Sequence, residues 1–580
     1  MIPNTEAVYI HGEYLARVGG DKMEDAYIAC IKDLRDGHSE IKIIERPETK
    51  VWVAKPGCRR NTVKRELAEK KELDMYRCRV NNIAATLWNA INNPPGKWRP
   101  PPYYVRLKEM LSNPYVYGAD IDYGVHLKLG YKRANGGRVP LEYNVGALDI
   151  ETDVHGSDQV ICFTFINGDG RTYTGILKEF FLNHTTEEVE NYWKKKVEPM
   201  FVKQLNKKGL SAYQKTNGIQ LHCQVFEKEV DLIKWVFDRI HECKPDFCGI
   251  WNMDYDIPWI IKRLEFRQCD PAQVICHPDV PYKFRFCKYK ADPGKKDGHM
   301  TEKWSWFSLP DYTRYYDAMC LYGRLRKAKP KEPTYKLDAI GGKEIGAGKL
   351  SFEEFGDEGN HDKMQRLHQV EYVVYNIVDV LIMHVMEIKN ADVVNMMQLI
   401  GSSTLDCFAH QSIQLKNYYF EYLDDRGCIP AAIGNRIDDK WDYMIKNKGG
   451  AVLSPDKALS VAVPALVEDD VTVRACRNVC DEDVTSEYPS LLKMLNCSKE
   501  TKLATVLLID NSRRKGIVNV ETIMLSTADK NYKTFDVNDF FNDAIYTEAN
   551  AMEVAARFGL PGFAEVDEWM KRRHPEIQVA

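Results

Sequence analysis

Long hydrophobic runs are missing from this 580-residue chain. No stretch approaches the roughly 20 apolar residues needed to span a bilayer, so membrane-spanning functions are set aside. The opening residues, MIPNTEAVYIHGEYLARVGG, lack the basic-then-apolar order of a secretory signal. Cysteine pairs at C-x-x-C spacing are also missing. Sixteen cysteines are scattered along the chain, which reads as reduced thiols in a cytoplasmic protein. Cys269, Cys276, His277 and Cys287 fall close together, but their spacing fits no common zinc pattern, and small buried hydrophobes or surface thiols are the expectation. An excess of one charge is missing too: 80 basic residues face 84 acidic ones, for a net charge of −4. That excludes a basic coat or tail. Any nucleic-acid contact must use local basic patches, leaving acidic clusters for other work such as holding metal.

The composition is that of a folded, soluble protein, 44% hydrophobic and 28% charged, and the length calls for two to four domains. There is no internal repeat or low-complexity segment. Up to about residue 140 the pattern is mixed. YIHGEYLARVGG reads as a strand and turn, and IKIIERPETKVWVAKPG as two strands broken at Pro47. The charged, apolar-striped segment VKRELAEKKELDMYRCRVNNIAATLWNAINN reads as one or two helices. From about 141 the pattern alternates. YNVGALDIETD is an apolar strand running into acids, and QVICFTFINGDGRTYTGI is a hairpin around Asn167-Gly168-Asp169-Gly170. KEVDLIKWVFDRIHECKPD has helical periodicity and precedes a short strand, FCGIW. Pro258 then opens a helix in DIPWIIKRLEF. RLHQVEYVVYNIVDVLIMHVMEIKNADVVNMMQLIG is a long helical region. Residues 400–450 are helical and then loop-rich, a second β-rich segment follows, and VNDFFNDAIYTEANAMEVAARFGLP reads as helix.

Three acidic stations stand out. Asp149 and Glu151 lie two apart in ALDIET, so on a strand both carboxylates leave one face. Asp256 follows the short strand in FCGIWNMDYDIPWI. Asp254 is the alternative ligand there, and a helix N-cap the plainer role for either. Tyr375 and Asp379 share one helical face in VVYNIVDVLIM. A carboxylate among Val, Ile and Leu needs a partner, either a metal ion or a buried Lys or Arg. Four carboxylates converging at strand and helix ends would hold two divalent cations through oxygen. Two such ions can activate a water and stabilise the leaving oxygen in phosphodiester hydrolysis.

These segments resemble the three exonuclease motifs of family B DNA polymerases, D-I-E-T, N-x-x-Y-D and Y-x-x-x-D, in particular those of T-even-like tailed-phage replicative enzymes. The resemblance runs over about residues 140 to 505 and more loosely before them, including DAMCLYGRLRKAKPKEPTYKLDAIGGKEIGAGKL. It implies that Asp149, Glu151, Asp256 and Asp379 bind the two Mg²⁺ (or Mn²⁺) ions of a 3′–5′ proofreading exonuclease, with Tyr375 assisting the attacking water. Thr152 and Asn252 would touch the frayed primer end. Trp251, Tyr255 and Trp259 would offer stacking surfaces, with at least one of them expected in the core instead. Lys448-Gly449-Gly450-Ala451 is similar to the family's Y-x-G-G/A element, with Gly449 and Gly450 near the template strand. The aromatic is missing at its first position, Lys446 or Lys448 depending on alignment.

Further on, DVTSEYPS, Asp483 to Ser490, resembles the family's first palm motif, D-x-x-S-L-Y-P-S. By that resemblance Asp483 binds the polymerase metals, Ser486 and the Glu487 amide lie in the triphosphate-holding turn, and Tyr488 excludes a 2′-hydroxyl. Glu487 departs from the family leucine, and its carboxylate must point away from a triphosphate. About ninety residues follow Ser490. Neither a K-x-x-x-N-S-x-Y-G helix nor a D-T-D-S turn is present, so one palm carboxylate stands alone. KLATVLLIDNSRRKG has the wrong spacing for that helix.

The expected fold is α/β and α+β multidomain: an N-terminal domain over 1–140, a ribonuclease H-like 3′–5′ exonuclease domain over 141–395, a linker over 396–455 returning to the N-terminal domain, and a partial palm over 456–580. Two functions stay open. One is the N-terminal subunit of a split polymerase, binding primer–template DNA and dNTP with a separate C-terminal chain that supplies fingers, remaining palm and thumb, and reaching any sliding clamp through that chain. The other is a stand-alone exonuclease or non-catalytic DNA-binding scaffold with a vestigial palm. The expected location is the cytoplasm, of the host cell if a phage encodes it.

Overall fold

The alternation of β-rich and helical segments yields a mixed α/β, multidomain protein. The computed structural model describes residues 5–432 except 22–23, 60–66, 94–96, 98, 102–104, 141, 211–217, 293–298, 328, 351–360, 406–407 and 409; beyond these it describes the strands 466–468, 471–473, 504–510, 520–527 and 532–536. The chain divides into two units, one formed almost entirely by residues up to 432 and one mainly by 433–580. Among the described residues no helix is long and apolar enough to cross a membrane.

In the first unit, Ala7–Leu15 (β1), Ala26–Asp33 (β2) and Ser39–Glu45 (β3) form an antiparallel sheet. Glu48–Ala54 (β4), Leu67–Glu69 (β5), Leu73–Arg79 (β6) and Val116–Tyr117 (β7) follow, with β4 between β6 and β7. Pro47 does separate two strands, but β3 and β4 join different sheets. Of the helix expected across 63–93, the described residues 67–93 form α-helix only over Ile83–Asn92, and 63–66 lie outside the described residues. Residues 67–79 supply β5 and β6, because β6 pairs with β4 over seven residues. Long-range pairing there overrides the helix propensity of Glu and Lys.

The central sheet explains the placement of the acids. Val145–Thr152 (β8), Val160–Ile166 (β9), Arg171–Leu177 (β10), Gln220–Phe226 (β11) and Phe247–Ile250 (β12) are followed by the short antiparallel pair Lys288–Lys290 (β13) and Trp306–Ser308 (β14), then by Arg314–Asp317 (β15). The sheet order is β11-β10-β9-β8-β12-β15. β9 runs antiparallel to its neighbours β8 and β10, while β8, β12 and β15 run parallel to one another. The hairpin at Asn167–Gly170 is as the sequence indicates: Asn167 N–H donates to the Arg171 carbonyl at 2.9 Å.

Ala147, Cys162 and Ile176 pack on one face with the helix Gln369–Asn390. Leu148, Ile150, Phe163 and Phe165 pack on the other with the helices Glu229–Cys243 and Met253–Phe266. Period-two alternation in β8 thus sends Asp149 and Glu151 toward the long helix. That helix ends at Ala391, whose φ of 49° breaks it from Asp392–Ile400.

Helix Met253–Phe266 starts five residues before Pro258, which is an internal residue and not the opening one. Two features set that start. Asn252 takes left-handed φ 68°, a conformation asparagine tolerates, and turns the chain after β12. The Asp317 carboxylate at the end of β15 then accepts Met253 N–H at 2.9 Å and Cys320 N–H at 2.8 Å, capping two helices at once.

The helix Gln411–Asp425 leads to Cys428–Pro430 (β16), which pairs with β5. In the second unit, Leu466–Glu468 pairs with Val471–Val473, and Ala504–Asp510, Val520–Thr527 and Tyr532–Asp536 form an antiparallel meander. KLATVLLIDN therefore carries a strand. The proposed tail helix over 537–561 lies outside the described residues.

Two core helices are tied by a buried ion pair. Arg263 donates Nε and a terminal nitrogen to Glu229 at 2.7 and 2.8 Å, and Glu229 also accepts Val160 N–H at 2.9 Å. Removing one partner leaves an uncompensated buried charge, which costs about 3–5 kcal/mol. Glu229→Ala is therefore expected to lower unfolding stability by about that amount, read from the urea midpoint; a change within about 0.5 kcal/mol would show the pair to be dispensable.

Candidate metal centre

The acids meet where β8 runs out from under β12. Pairing between these strands ends at Ala147–Gly249. Past that point the Asp256 carboxylate, 3% exposed on helix Met253–Phe266, takes the place of a strand carbonyl and accepts Ile150 N–H at 3.2 Å. A bulge against β9 follows between Glu151 and Thr152, a device that re-aims side chains at the end of a ladder.

Asp149, Glu151 and Asp379 each bring a carboxylate oxygen to within 4.8 Å of the others. This acidic triad could hold a metal ion, and it is the one such group among the described residues. Asp256 stands outside that triad but repels Asp149 directly. Asp254, the alternative ligand, is engaged elsewhere: it accepts from the hydroxyls of Tyr289 and Ser305. Asp256 is not an N-cap either, since it sits inside the helix. The Cys269–Cys287 region forms no ligand group; Cys276 Sγ donates to the Phe286 carbonyl, and the described cysteines are free thiols.

The helix Gln369–Asn390 contributes more than Tyr375 and Asp379. Tyr372 donates its hydroxyl to Glu151 Oε2 at 2.7 Å, and Asn376 donates Nδ2 to Asp149 Oδ2 at 2.7 Å. Tyr372, Tyr375, Asn376 and Asp379 fall at i, i+3, i+4 and i+7, a polar stripe on an otherwise apolar helix. That spacing was available in the sequence as a sign of all four. Lys349 carried no such local sign. Its ammonium pairs with Asp379 Oδ2 and donates to the Tyr375 hydroxyl at 2.9 Å. The partner demanded by a buried Asp379 is thus, in part, a lysine. Its other oxygen, Oδ1, is buried with no hydrogen-bond partner among the described residues.

Burial and mutual repulsion raise every carboxylate here. Burial, then Asp256, Asp379 and Glu151, hold Asp149 well above the usual range. Burial lifts Glu151 to about 8 against the opposing Tyr372 hydrogen bond. Burial lifts Asp256 to about 7, opposed by the Ile150 amide, and Asp379 to about 6, opposed by Lys349. Lys349 itself is desolvated, yet Asp379, Tyr375 and Asp149 hold it protonated. One lysine does not neutralise four carboxylates. An all-oxygen donor set with one orphaned buried oxygen fits a hard divalent cation.

A cavity of about 390 Å³ opens beside the acids, lined in part by Asp149, Trp251, Asn252, Lys349 and Tyr375. Trp251 is anchored by its Nε1–H on the Tyr335 carbonyl at 3.0 Å and packs against the core. Tyr255, 45% exposed, stacks on Trp259 with ring centres 5.5 Å apart, and its hydroxyl meets Thr152 Oγ1 at 2.6 Å. Asp483, Ser486, Glu487, Tyr488, Gly449 and Gly450 lie outside the described residues. No protein-family model matches the chain, and no curated protein matches it.

The raised carboxylates set a sign for stability. In the unfolded chain they ionise near pH 4; folded, they resist until about pH 6 to 8. The metal-free protein therefore loses this contribution as pH rises from about 4 to 8. Millimolar Mg²⁺ is expected to raise Tm by several degrees at pH 8 and hardly at pH 5, and Asp149→Asn with Glu151→Gln to remove most of that difference. Equal Mg²⁺ effects at both pH values would contradict the cluster.

Proposed function

We propose that this chain is the N-terminal part of a family B DNA-directed DNA polymerase and carries its 3′–5′ proofreading exonuclease. The observation that carries the nuclease half is the convergence of Asp149, Glu151 and Asp379, with Asp256 beside them, at the end of β8. The strand order supports a ribonuclease H-like domain: β8, β9 and β10 make an antiparallel meander, and β12 and β15 extend the sheet in parallel from β8.

Bound by these carboxylates, two Mg²⁺ ions (or Mn²⁺) would supply an activated water and stabilise the leaving 3′-oxygen in hydrolysis of the terminal phosphodiester. The chain's own residues do the rest. Tyr372 fixes one oxygen of Glu151 and Asn376 one oxygen of Asp149, leaving the second oxygen of each for a cation. Lys349 donates to the Tyr375 hydroxyl oxygen, and Tyr375, which lines the cavity, would orient the attacking water from there. The same ammonium lines the cavity and would offset negative charge growing on a phosphate held there. The exposed Tyr255 ring, backed by Trp259, would give a base a stacking surface beside Thr152, whose hydroxyl it meets, and Asn252, whose carbonyl accepts its N–H.

The polymerase half rests on the sequence of the Asp483–Ser490 motif. In this reading the missing fingers, second palm carboxylates and thumb come from a separate C-terminal chain, which would also carry any clamp contact. A stand-alone exonuclease with a vestigial palm is the second reading, favoured by Glu487.

Purified chain with Mg²⁺ or Mn²⁺ is expected to shorten a 3′-recessed or single-stranded labelled oligonucleotide from its 3′ end. Asp149→Ala with Glu151→Ala should abolish this while the fold persists, and Lys349→Ala should slow it about 10²-fold or more. Nucleotide incorporation should appear only with the C-terminal chain and vanish in Asp483→Ala. An intact oligonucleotide with both metals overturns the nuclease reading; incorporation by this chain alone overturns the split.

A further inference from the structure

The short helix His361–Leu367 takes no part in the chemistry above, yet it touches the metal centre through one hydroxyl. His361 and Gln365 fall at i and i+4, on one face of that helix. Both side chains reach the buried Tyr372 hydroxyl, His361 through Nδ1 at 2.8 Å and Gln365 through Nε2 at 3.2 Å. That hydroxyl donates to Glu151 Oε2 at 2.7 Å. A phenol has one proton to give. Whichever neighbour receives it decides whether Glu151 is held.

Gln365 cannot receive it. Its Oε1 accepts Val154 N–H at 3.1 Å, and its Nε2 donates to the Thr152 carbonyl at 2.8 Å. A backbone donor and a backbone acceptor at the end of β8 thus fix the orientation of the amide. A flipped amide would set oxygen against the Thr152 carbonyl and NH₂ against the Val154 amide. The second Nε2 hydrogen therefore goes to the Tyr372 oxygen.

His361 has two choices. With its proton on Nε2, the bare Nδ1 competes with Glu151 for the phenol proton. With its proton on Nδ1, it donates to the Tyr372 oxygen and leaves the phenol proton to Glu151. A carboxylate is the stronger acceptor, because a charge-assisted hydrogen bond is roughly twice as strong as a neutral one. The arrangement that satisfies all three contacts is the Nδ1–H form. Burial, then the Lys349 charge, push the imidazole below its ordinary pKa, so it is neutral and carries a single N–H. Packing aims the ring: it stands at 85° to both Tyr372 and Tyr375, with centres 5.8 and 6.2 Å away.

We propose that His361 is a positioning residue for the metal centre: by donating to the Tyr372 oxygen it commits the phenol proton to Glu151, a role that rests on the nuclease reading of these acids. Gln365 ties the same hydroxyl to the backbone of Thr152 and Val154. Groups that orient a ligand in this way hold metal affinity as well as the ligand.

The test is calorimetric titration of the full chain with Mn²⁺, beside the Mn²⁺ dependence of 3′-end shortening. His361→Phe keeps a ring and removes the donor. It is expected to weaken Mn²⁺ about fivefold and to shift the metal dependence of the rate by the same factor. The rate at saturating Mn²⁺ and the KM for the oligonucleotide should stay near wild type. His361→Asn, whose amide can place a donor near the position of Nδ1, should recover most of the affinity. Tyr372→Phe should weaken Mn²⁺ about tenfold or more, and adding His361→Phe to it should cause no further loss. Wild-type chain that fails to bind Mn²⁺ removes the metal centre and this role together. Wild-type chain that binds Mn²⁺ but leaves the oligonucleotide intact overturns the nuclease reading alone, and the affinity series still decides the role of His361. Affinity unchanged in His361→Phe, Asn no better than Phe, a loss that persists in the Tyr372→Phe background, or a rate that stays low at saturating Mn²⁺ would each overturn the role of His361 and leave the nuclease reading standing.

Discussion

Too much negative charge in too little water is the constraint around which the first unit is built. Asp149, Glu151, Asp256 and Asp379 are brought together deep in the fold, with Lys349 the cation that faces all four. A core built for stability alone would not assemble such a group, since each unpaired buried charge is costly. The compensating structure is extensive. Tyr372, Asn376 and the Ile150 amide each donate to one carboxylate, and Lys349 pairs with a fourth. What remains uncompensated is oxygen aimed at one small volume, the signature of a cation site.

Backbone choices around the acids make this convergence possible. The ladder between β8 and β12 stops early, which frees the Ile150 amide for Asp256. Asn252 in a left-handed conformation and Asp317 as a shared cap decide where helix Met253–Phe266 begins, and so which of Asp254 and Asp256 turns inward. Shifting that helix by one residue would rotate Asp256 by about 100° away from β8.

Much of this could be read from the sequence, and the failures have physical causes. Local signals served well: the Asn167–Gly170 hairpin, the helix Glu229–Cys243, and the period-two placement of Asp149 and Glu151 are properties of short windows. Long-range pairing overrides the local signal over 67–79, where charged residues of good helix propensity form strands against β4 and β16. Pro258 suggests a helix start because proline suits a first turn, whereas the start is fixed by Asp317, some sixty residues later in the chain. Lys349 could not be singled out, as nothing around it in the chain announces that it will meet Asp379. Tyr372 and Asn376 could have been found, because they share the helical face already recognised for Tyr375 and Asp379. The palm motif around Asp483 stays a matter of sequence resemblance, its residues lying outside those described.

The central claim is that these carboxylates exist to hold divalent cations. Mn²⁺ titration followed by electron paramagnetic resonance at pH 7.5 addresses it most directly, because the signal of free Mn²⁺ disappears on binding. The account predicts saturable binding of one to two ions per chain, lost in Asp149→Asn with Asp379→Asn while the fold is retained. Absence of bound Mn²⁺ at millimolar concentration, or binding unaltered by that double substitution, would contradict it.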